Sequence, residues 1–349
     1  MTHKYPRFTI RTAIIYLLLV VSFLSACDDG NKTKKVHIGK TTDSAPYELL
    51  IVANKDWLKT SEGCVFMDII NSEIPALPQI ETNFKVLTIN PTGFTKTFQG
   101  FANMIFVEIG SNYPKAEMRI ANDVYAHPQL ILSIVAPDNK AFVELVETNR
   151  QKIVDMFVDA ELQREKGYLQ KKHSGKVLSQ VEKQFGCTLY APEDINAVKV
   201  GKDFMWASSN QADNRLNLCV YSYPYKSEAD FSQENFIAKR DSFMKENIQG
   251  NKDIQYMTTV KDFVYQKQML YEGRVIHEFR GLWKMENDMM GGPYVSYSQL
   301  DTVNSRVLVA EGFIYAPEKK KRNYIREMEA ALRTLKLPVA KISTQTNAK

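Results

Sequence analysis

The second half of the chain carries four strand-like segments that follow one another almost without interruption. Two of the junctions, Glu272-Gly273 and Asn304-Ser305, have the composition of tight hairpin turns. Strands joined by so short a turn pair antiparallel, because a parallel pair needs a crossover of a dozen residues or more. An antiparallel sheet is therefore predicted here. The four segments span residues 255–271, 274–285, 294–303 and 306–314.

The first half also mixes strands with helices. A helix is predicted at residues 56–70, and an apolar stripe with a period near 3.6 predicts a long helix from about Asp138 to Leu162. We therefore predict an α+β fold of two domains, each a mostly antiparallel sheet with helices packed on one face. The strands predicted in this half lie at residues 47–53, 84–89, 101–109 and 129–135.

Changes in composition give the predicted domain boundaries. A polar stretch without apolar periodicity follows the N-terminal segment and predicts a flexible tether, and a polar, basic stretch separates the two halves. The predicted parts are a signal peptide at 1–26, a lipidated cysteine and tether at 27–44, a first domain at 45–166, a linker with a bridging helix at 167–186, a second domain at 187–337 and a loose tail at 338–349.

The two halves end alike. Each closes with an apolar strand, then Ala136-Pro137-Asp138 or Ala316-Pro317-Glu318, then a predicted helix. Proline suits the first turn of a helix, and an acidic residue there meets the positive end of the helix dipole. The match is short, and any two strand-to-helix junctions could show it. An internal duplication is one reading of this similarity.

The N-terminus has the parts of a secretory signal. Lys4, Arg7 and Arg11 supply a positive start, and residues 12–24 form an apolar run without a charge. This run is shorter than the roughly 20 residues that a membrane-spanning helix needs. A cleaved signal is therefore favoured over an uncleaved helical anchor.

The signal ends on Leu24-Ser25-Ala26-Cys27, which resembles the lipobox of bacterial lipoproteins. The resemblance implies cleavage before Cys27 and acylation of its thiol, which would hold the chain to a lipid bilayer. The expected location is the cell envelope, facing the periplasm or the cell surface. Asp28 and Asp29 follow the cysteine and act as a sorting signal whose meaning depends on lineage, so inner and outer membrane stay open.

Charge excludes one class of partner. The formal net charge is +5, and removing Lys4, Arg7 and Arg11 with the signal leaves about +2. So small an excess gives no electrostatic footprint for nucleic acid. The predicted partners are the bilayer, through acylated Cys27, and an envelope protein or glycan.

Three cysteines remain after Cys27, which allows at most one intrachain disulfide. Cys187 and Cys219 could pair if their strands are neighbours, and free buried thiols are the alternative. No spacing resembles a zinc site, and no H-E-x-x-H pattern is present. Neither a metal nor another cofactor is therefore predicted.

A catalytic motif is hard to find. Ser242 and Lys245 match the S-x-x-K spacing of serine acyltransferases, but the companion S-D-N and K-T-G motifs are absent. The pair is therefore interpreted as part of an ordinary amphipathic helix, and no catalytic residue is predicted.

The region around residues 277–297 is the predicted binding surface. Along the strand 275–285, His277 shares one face with large aromatic residues, so it is either a hydrogen-bonded core histidine or a pocket group beside an aromatic wall. Glu278 and Arg280 occupy the other face and are expected to form a surface ion pair. A glycine-rich turn follows, where a ligand could approach the backbone. The predicted surface comprises His277, Trp283, Gly291, Gly292, Tyr294 and Tyr297.

Two runs resemble a lipoprotein family known only as domain of unknown function 4837. They are YELLIVANKDWL at 47–58 and EFRGLWKMENDMMGGPYVSY at 278–297, beside the lipobox at Cys27. The resemblance would cover nearly the whole mature chain. It implies an envelope lipoprotein and supplies no activity, so it carries over no catalytic residue.

The leading functional hypothesis is a membrane-anchored envelope lipoprotein that works as a non-enzymatic binding or assembly module. The alternative is a hydrolase or transferase that acts on envelope polymers through a dispersed active site. A deep pocket with two or more close ionisable groups would favour the enzyme, and a shallow apolar or aromatic groove would favour binding.

Overall fold

Two β-sheets, one in each half of the chain, organise the molecule. The computed structural model describes residues 40–211 and 214–339, which belong to one unit, Gly39–Lys349. The predicted signal peptide, Cys27, most of the tether and most of the tail lie outside the described residues. Within those residues, no helix is both long enough and apolar enough to cross a membrane.

The first half carries a five-stranded sheet flanked by three helices. The strand order is β3-β2-β4-β7-β5, and β1 pairs with β6 apart from it. The elements are β1 (Lys40–Thr41), β2 (Glu48–Val52), α1 (Ser61–Ile70), β3 (Lys85–Ile89), β4 (Asn103–Ile109), β5 (Glu117–Asn122), β6 (Ala126–His127), β7 (Leu130–Ala136), α2 (Asn139–Thr148) and α3 (Arg150–Leu169).

The antiparallel prediction is wrong for this sheet. Strand β2 pairs parallel with β3 and β4, β4 pairs parallel with β7, and only β5 runs antiparallel to its neighbour. The connections are long, and the one from β2 to β3 contains α1, so a parallel crossover is available. Strands β2 and β7 are near-continuous apolar runs, which is typical of parallel strands that are buried on both faces.

The long helix predicted from Asp138 is two helices. The break falls at Asn149, whose Nδ2 donates to the Leu145 carbonyl at 2.8 Å. An asparagine side chain that bonds to the backbone in this way competes with helix continuation. Helices α1, α2 and α3 pack on one face of the sheet through Phe66, Phe142 and Phe157.

The second half carries a seven-stranded sheet in which every neighbouring pair is antiparallel, as predicted. The order is β11-β12-β13-β14-β10-β9-β8. The elements are α4 (Gly175–Phe185), β8 (Ile195–Gly201), β9 (Phe204–Ser209), β10 (Arg215–Pro224), α5 (Gln233–Asn247), β11 (Met257–Tyr271), β12 (Arg274–Met285), β13 (Gly291–Asp301), β14 (Arg306–Tyr315) and α6 (Arg322–Leu332).

The predicted hairpin turn at Glu272-Gly273 is confirmed. Tyr271 pairs with Arg274, and both turn residues have positive φ, at 48° and 75°. A two-residue loop of this kind matches the twist of the flanking strands.

Helices cover both faces of this second sheet, so the prediction of helices on one face is wrong here. Helices α4 and α6 pack on one face through residues such as Val177 and Ile325. Helix α5 packs on the opposite face through Phe236 and Met244. Because both faces are covered, polar residues on either face of the strands become buried.

The two cysteines of the proposed disulfide lie on opposite faces of this sheet. Cys187 belongs to the core beside α4 and α6, and Cys219 belongs to the core beside α5. Both are buried free thiols, so the free-thiol alternative holds. Burial raises the pKa of the Cys187 thiol to about 11, which leaves the thiol protonated and unreactive.

The structure does not support an internal duplication. One sheet is mostly parallel and the other fully antiparallel. The matching junctions also differ, because Asp138 caps α2 by accepting from the Ala141 N–H at 2.9 Å. Glu318 instead occupies a turn with φ of 60°, ahead of a helix that begins at Arg322.

Candidate ligand pocket

A small pocket lies beside the loop that joins β12 to β13. Its cavity volume is about 260 Å³, and half of its lining residues are aromatic residues or methionines. We call it the aromatic pocket. Its lining includes Trp206, Met257, Trp283, Met290, Phe313 and Tyr315, together with the charged residues Arg215 and Asp288.

Trp283 on β12 sets the shape of one wall. Its ring meets Phe313 edge to face, with centroids 5.5 Å apart, and its Nε1 donates to the Ile314 carbonyl at 3.1 Å. A Cβ atom at Gly292 would collide with that same carbonyl, so only glycine fits opposite Trp283. The glycine-rich turn thus serves a close packing of strands around the tryptophan.

The polar groups of the lining bond mainly to one another and to nearby backbone. Trp206 Nε1 donates to Asn217 Oδ1 at 3.1 Å, and Asn217 Nδ2 donates to the Phe313 carbonyl at 3.4 Å. The Asp288 carboxylate accepts from Gln255 Nε2 at 2.9 Å. It also accepts from the backbone N–H groups of the loop residues Met289 and Met290, at 2.6 and 3.2 Å. The walls are therefore held in place before any ligand arrives.

The predicted binding surface only partly coincides with this pocket. Trp283 lines it, and Gly291 and Gly292 begin β13 next to the Met290 side of the loop. Tyr294 is buried deeper on the same face, beneath the Arg240 guanidinium at 4.2 Å from the ring centroid. The structure thus brings three of the six predicted residues to the pocket or its loop.

The other two predicted residues lie elsewhere. His277 is half-buried and stacks on Phe231, with centroids 4.1 Å apart, and burial lowers its pKa. Tyr297 points to the opposite face of the sheet, where its hydroxyl donates to Glu329 at 3.5 Å. The alternation of a strand separates Tyr297 from Trp283 and Tyr294 in this way.

Glu278 and Arg280 do not form the surface pair that was predicted, because α6 covers their face of the sheet. Arg280 Nε donates to Glu278 at 2.6 Å, and its Nη2 lies 2.7 Å from Glu329 of α6. Arg326 Nη1 also lies 2.7 Å from that carboxylate, and Arg333 lies 3.8 Å from it. We call Glu278, Arg280, Arg326, Glu329 and Arg333 the interface network.

The interface network reaches into the first half of the chain. Arg326 Nη2 donates to Asn83 Oδ1 at 2.6 Å, and Arg333 Nη1 donates to Asp159 Oδ1 at 2.8 Å. It borders a cleft of about 600 Å³ whose lining holds nearly equal numbers of acidic and basic residues. Burial opposes ionisation of Glu329, but the three guanidinium groups outweigh it and hold its pKa far below the usual range. The interface network thus joins the two halves of the chain through acidic and basic side chains whose charges offset one another.

A third group of residues lines a cavity of about 410 Å³ beside α3 and α6, which includes Glu161, Glu165 and Glu327. Glu161 is held by Asn103 and by Arg164, whose Nη1 lies 3.1 Å away. Burial, and then the charges of Glu165 and Asp194, raise the pKa of Glu327 to about 7. No sequence motif marks this cavity, because its acidic residues come from two helices far apart in the chain.

Comparisons with known proteins give families without an assigned activity. Residues 174–334 match the model of domain of unknown function 4837, and residues 43–170 match that of domain of unknown function 8532. No curated protein matches the chain. The resemblance to the first family is thus confirmed for the second half, whereas the run at 47–58 falls within the other match.

Several solved chains match, and one of them is similar in part. It is a crystal structure of a protein from Bacteroides thetaiotaomicron VPI-5482, with 12% identity over 44% of this chain and a TM-score of 0.20. The match spans 45% of the length of that protein, and a similarity this low carries no argument. The chain is thus similar to the family of domain of unknown function 4837 over residues 174–334, and to that of domain of unknown function 8532 over residues 43–170.

Proposed function

We propose that the chain is an envelope lipoprotein, anchored to a bilayer through acylated Cys27, that works as a non-enzymatic binding module. The lipobox-like end of the signal supports the anchor. A chain held in this way presents its folded part beside the membrane, where it meets a ligand or partner of the envelope.

The observation that supports the binding role is the presence of the aromatic pocket. Ligand sites are concave, lined mainly by apolar and aromatic side chains, and largely formed in advance. The walls here combine Trp206 and Trp283 with three methionines, whose flexible thioethers adapt to ligands of different shape. The lining has only one acid, Asp288, and its oxygens already accept three hydrogen bonds.

The experiment uses the full chain, incubated with small molecules extracted from a bacterial envelope and then measured by native mass spectrometry. We expect a bound species that denaturation releases chemically unchanged. The Trp206→Leu protein should no longer hold the bound species, because the half-buried Trp206 side chain forms part of the pocket wall. The Trp57→Leu protein, changed in the first half, should still hold it. Retention by both variants, or a chemically altered product, would count against this role.

A specific observation also favours the alternative, an enzyme that cleaves or transfers envelope polymers. Glu327 has a pKa of about 7 and lies near Glu165, whose pKa burial and Glu161 also raise. A carboxyl group with a pKa near neutrality suits general acid catalysis. Digestion of envelope glycans and peptides by the wild type, lost in Glu327→Gln, would establish this activity; no product from the wild type would reject it.

A further inference from the structure

We propose that the aromatic pocket takes a small apolar ring compound that bears one anionic group, with Arg215 as the counter-ion. The proposal rests on the binding role proposed above and adds the chemical class of the ligand. Its three supports are the size of the cavity, the unused charge of Arg215 and the aromatic walls.

The cavity limits the apolar part of the ligand. Pockets for drug-sized molecules begin at about 300 Å³, and an apolar cavity of about 150 Å³ is enough for benzene. A volume of about 260 Å³ therefore suits one or two rings. Along one wall, the Trp283 ring centroid lies 5.5 Å from that of Phe313 and 6.4 Å from that of Tyr315, an arrangement that favours an aromatic guest.

Arg215 supplies the charge. Within residues 40–211 and 214–339, its guanidinium group has no hydrogen-bond or ion-pair partner, although its side chain is half-buried and lines the pocket. The other charged residue of the lining is Asp288, whose two carboxylate oxygens are taken up by Gln255 and by the loop backbone. An anionic group on the ligand would therefore meet a cation that no residue within 40–211 and 214–339 neutralises.

The position of Arg215 suits a ligand whose ring contacts the aromatic walls while its anionic group pairs with the guanidinium group. It is the first residue of β10 and pairs across the sheet with Tyr315 of β14, which is itself part of the pocket wall. A planar guanidinium group donates two parallel hydrogen bonds to a carboxylate or sulfonate, which makes the pairing both strong and directional.

The test compares three probes that share one ring system, namely 2-naphthoate, 2-naphthamide and 2-naphthylmethylammonium, by calorimetric titration of the full chain. We expect naphthoate to bind at least tenfold more tightly than the amide, and the ammonium compound most weakly. Arg215→Gln should abolish the preference for naphthoate while leaving the affinity for naphthamide unchanged. Arg215→Lys should retain part of the preference.

Two further variants separate charge from ring binding. Trp206→Leu should weaken the binding of all three probes by a similar factor. The control is Arg150→Gln, because Arg150 of α3 pairs with Glu147 of α2, and this variant should bind every probe as the wild type does. Equal affinity for acid and amide in the wild type, an unchanged preference in Arg215→Gln, or no binding of any probe would overturn the proposal. A ligand recovered from envelope extract in those cases would leave the binding role standing with a different ligand class.

Discussion

Arg240 is the largest fully buried side chain among the described residues, and it shows how the second core is built. It projects from α5 onto the sheet, where its Nε and Nη2 atoms donate to Glu311 of β14 at 3.0 and 2.8 Å. Thr259 Oγ1 accepts from its Nη1 at 2.9 Å, and the Ser296 hydroxyl donates to the same carboxylate. Every charge here depends on a partner that is equally buried.

Removing one member of this pair should therefore be costly. We expect Arg240→Met to lower the free energy of unfolding by about 3–5 kcal/mol, because Glu311 would keep an uncompensated buried charge. The double variant Arg240→Met with Glu311→Leu should recover much of that loss. Urea denaturation measures both, and a double variant as unstable as the single one would contradict this account.

The raised pKa of Glu327 should make the free energy of unfolding depend on pH in a definite direction. Its pKa rises from 4.5 to about 7 on folding, so its contribution to stability is complete below pH 4.5 and is lost as the pH rises to 7. Glu327→Gln imitates the protonated form. It should raise the free energy of unfolding by about 3 kcal/mol at pH 8 and change it little near pH 4.5.

Denaturant midpoints at the two pH values provide the measurement for Glu327, with Glu246→Gln on exposed α5 surface as the control. A Glu327→Gln protein no more stable than the wild type at pH 8 would show that the carboxyl group is not desolvated in the folded state.

Part of the residue-level picture could be predicted from sequence. Alternation along β12 correctly put His277 and Trp283 on one face, with Glu278 on the other. It could not show that α6 covers that other face, so Glu278 and Arg280 were expected at the surface. A signal existed at α6, where Arg326, Glu329 and the C-cap residue Arg333 recur at spacings of three and four, as expected for one side of a helix.

At the scale of elements, α6 joins the two halves. It packs on β13 and β14 of its own sheet and on α3 of the first half. Its N-terminus is capped by a residue that is remote in sequence. The Glu81 carboxylate accepts hydrogen bonds from the backbone N–H groups of Lys321 and Arg322 at 2.6 and 3.1 Å. A carboxylate at this end also meets the positive pole of the helix dipole.

The cap can be tested by Glu81→Ala. We expect a loss of about 0.5–2 kcal/mol, the usual range for a lost N-cap, with faster amide exchange in the first turn of α6. Glu73→Ala, in the same segment of the first half, is the control. If exchange in the first turn is unchanged, Glu81 does not hold the helix end.

The hairpin at Glu272-Gly273 was predictable, whereas pairing direction in the first half was not. A short turn such as Glu272-Gly273 forces its two strands together, so local sequence decides the pairing. The order β3-β2-β4-β7-β5 depends on crossovers, where only the long-range packing selects neighbours. The apolar runs of β2 and β7 were the available sign of a parallel sheet.

At the scale of the molecule, the interface network should make the two halves unfold together. Glu329→Gln removes the carboxylate that three guanidinium groups share, so those cations would remain buried and repel one another. We expect one calorimetric transition in the wild type. In Glu329→Gln we expect a lower melting temperature and two separate transitions, and a single transition at the wild-type temperature would contradict the role of the network.

The proposed function requires a folded binding module that is held to a bilayer at Cys27. The most direct measurement is the intact mass of the protein extracted from bacterial membranes in detergent. We expect a chain that begins at Cys27 and carries the added mass of a diacylglycerol and an amide-linked acyl chain, and we expect Cys27→Ser to lack this mass. An unprocessed N-terminus at Met1, or a processed chain without lipid, would contradict the anchor.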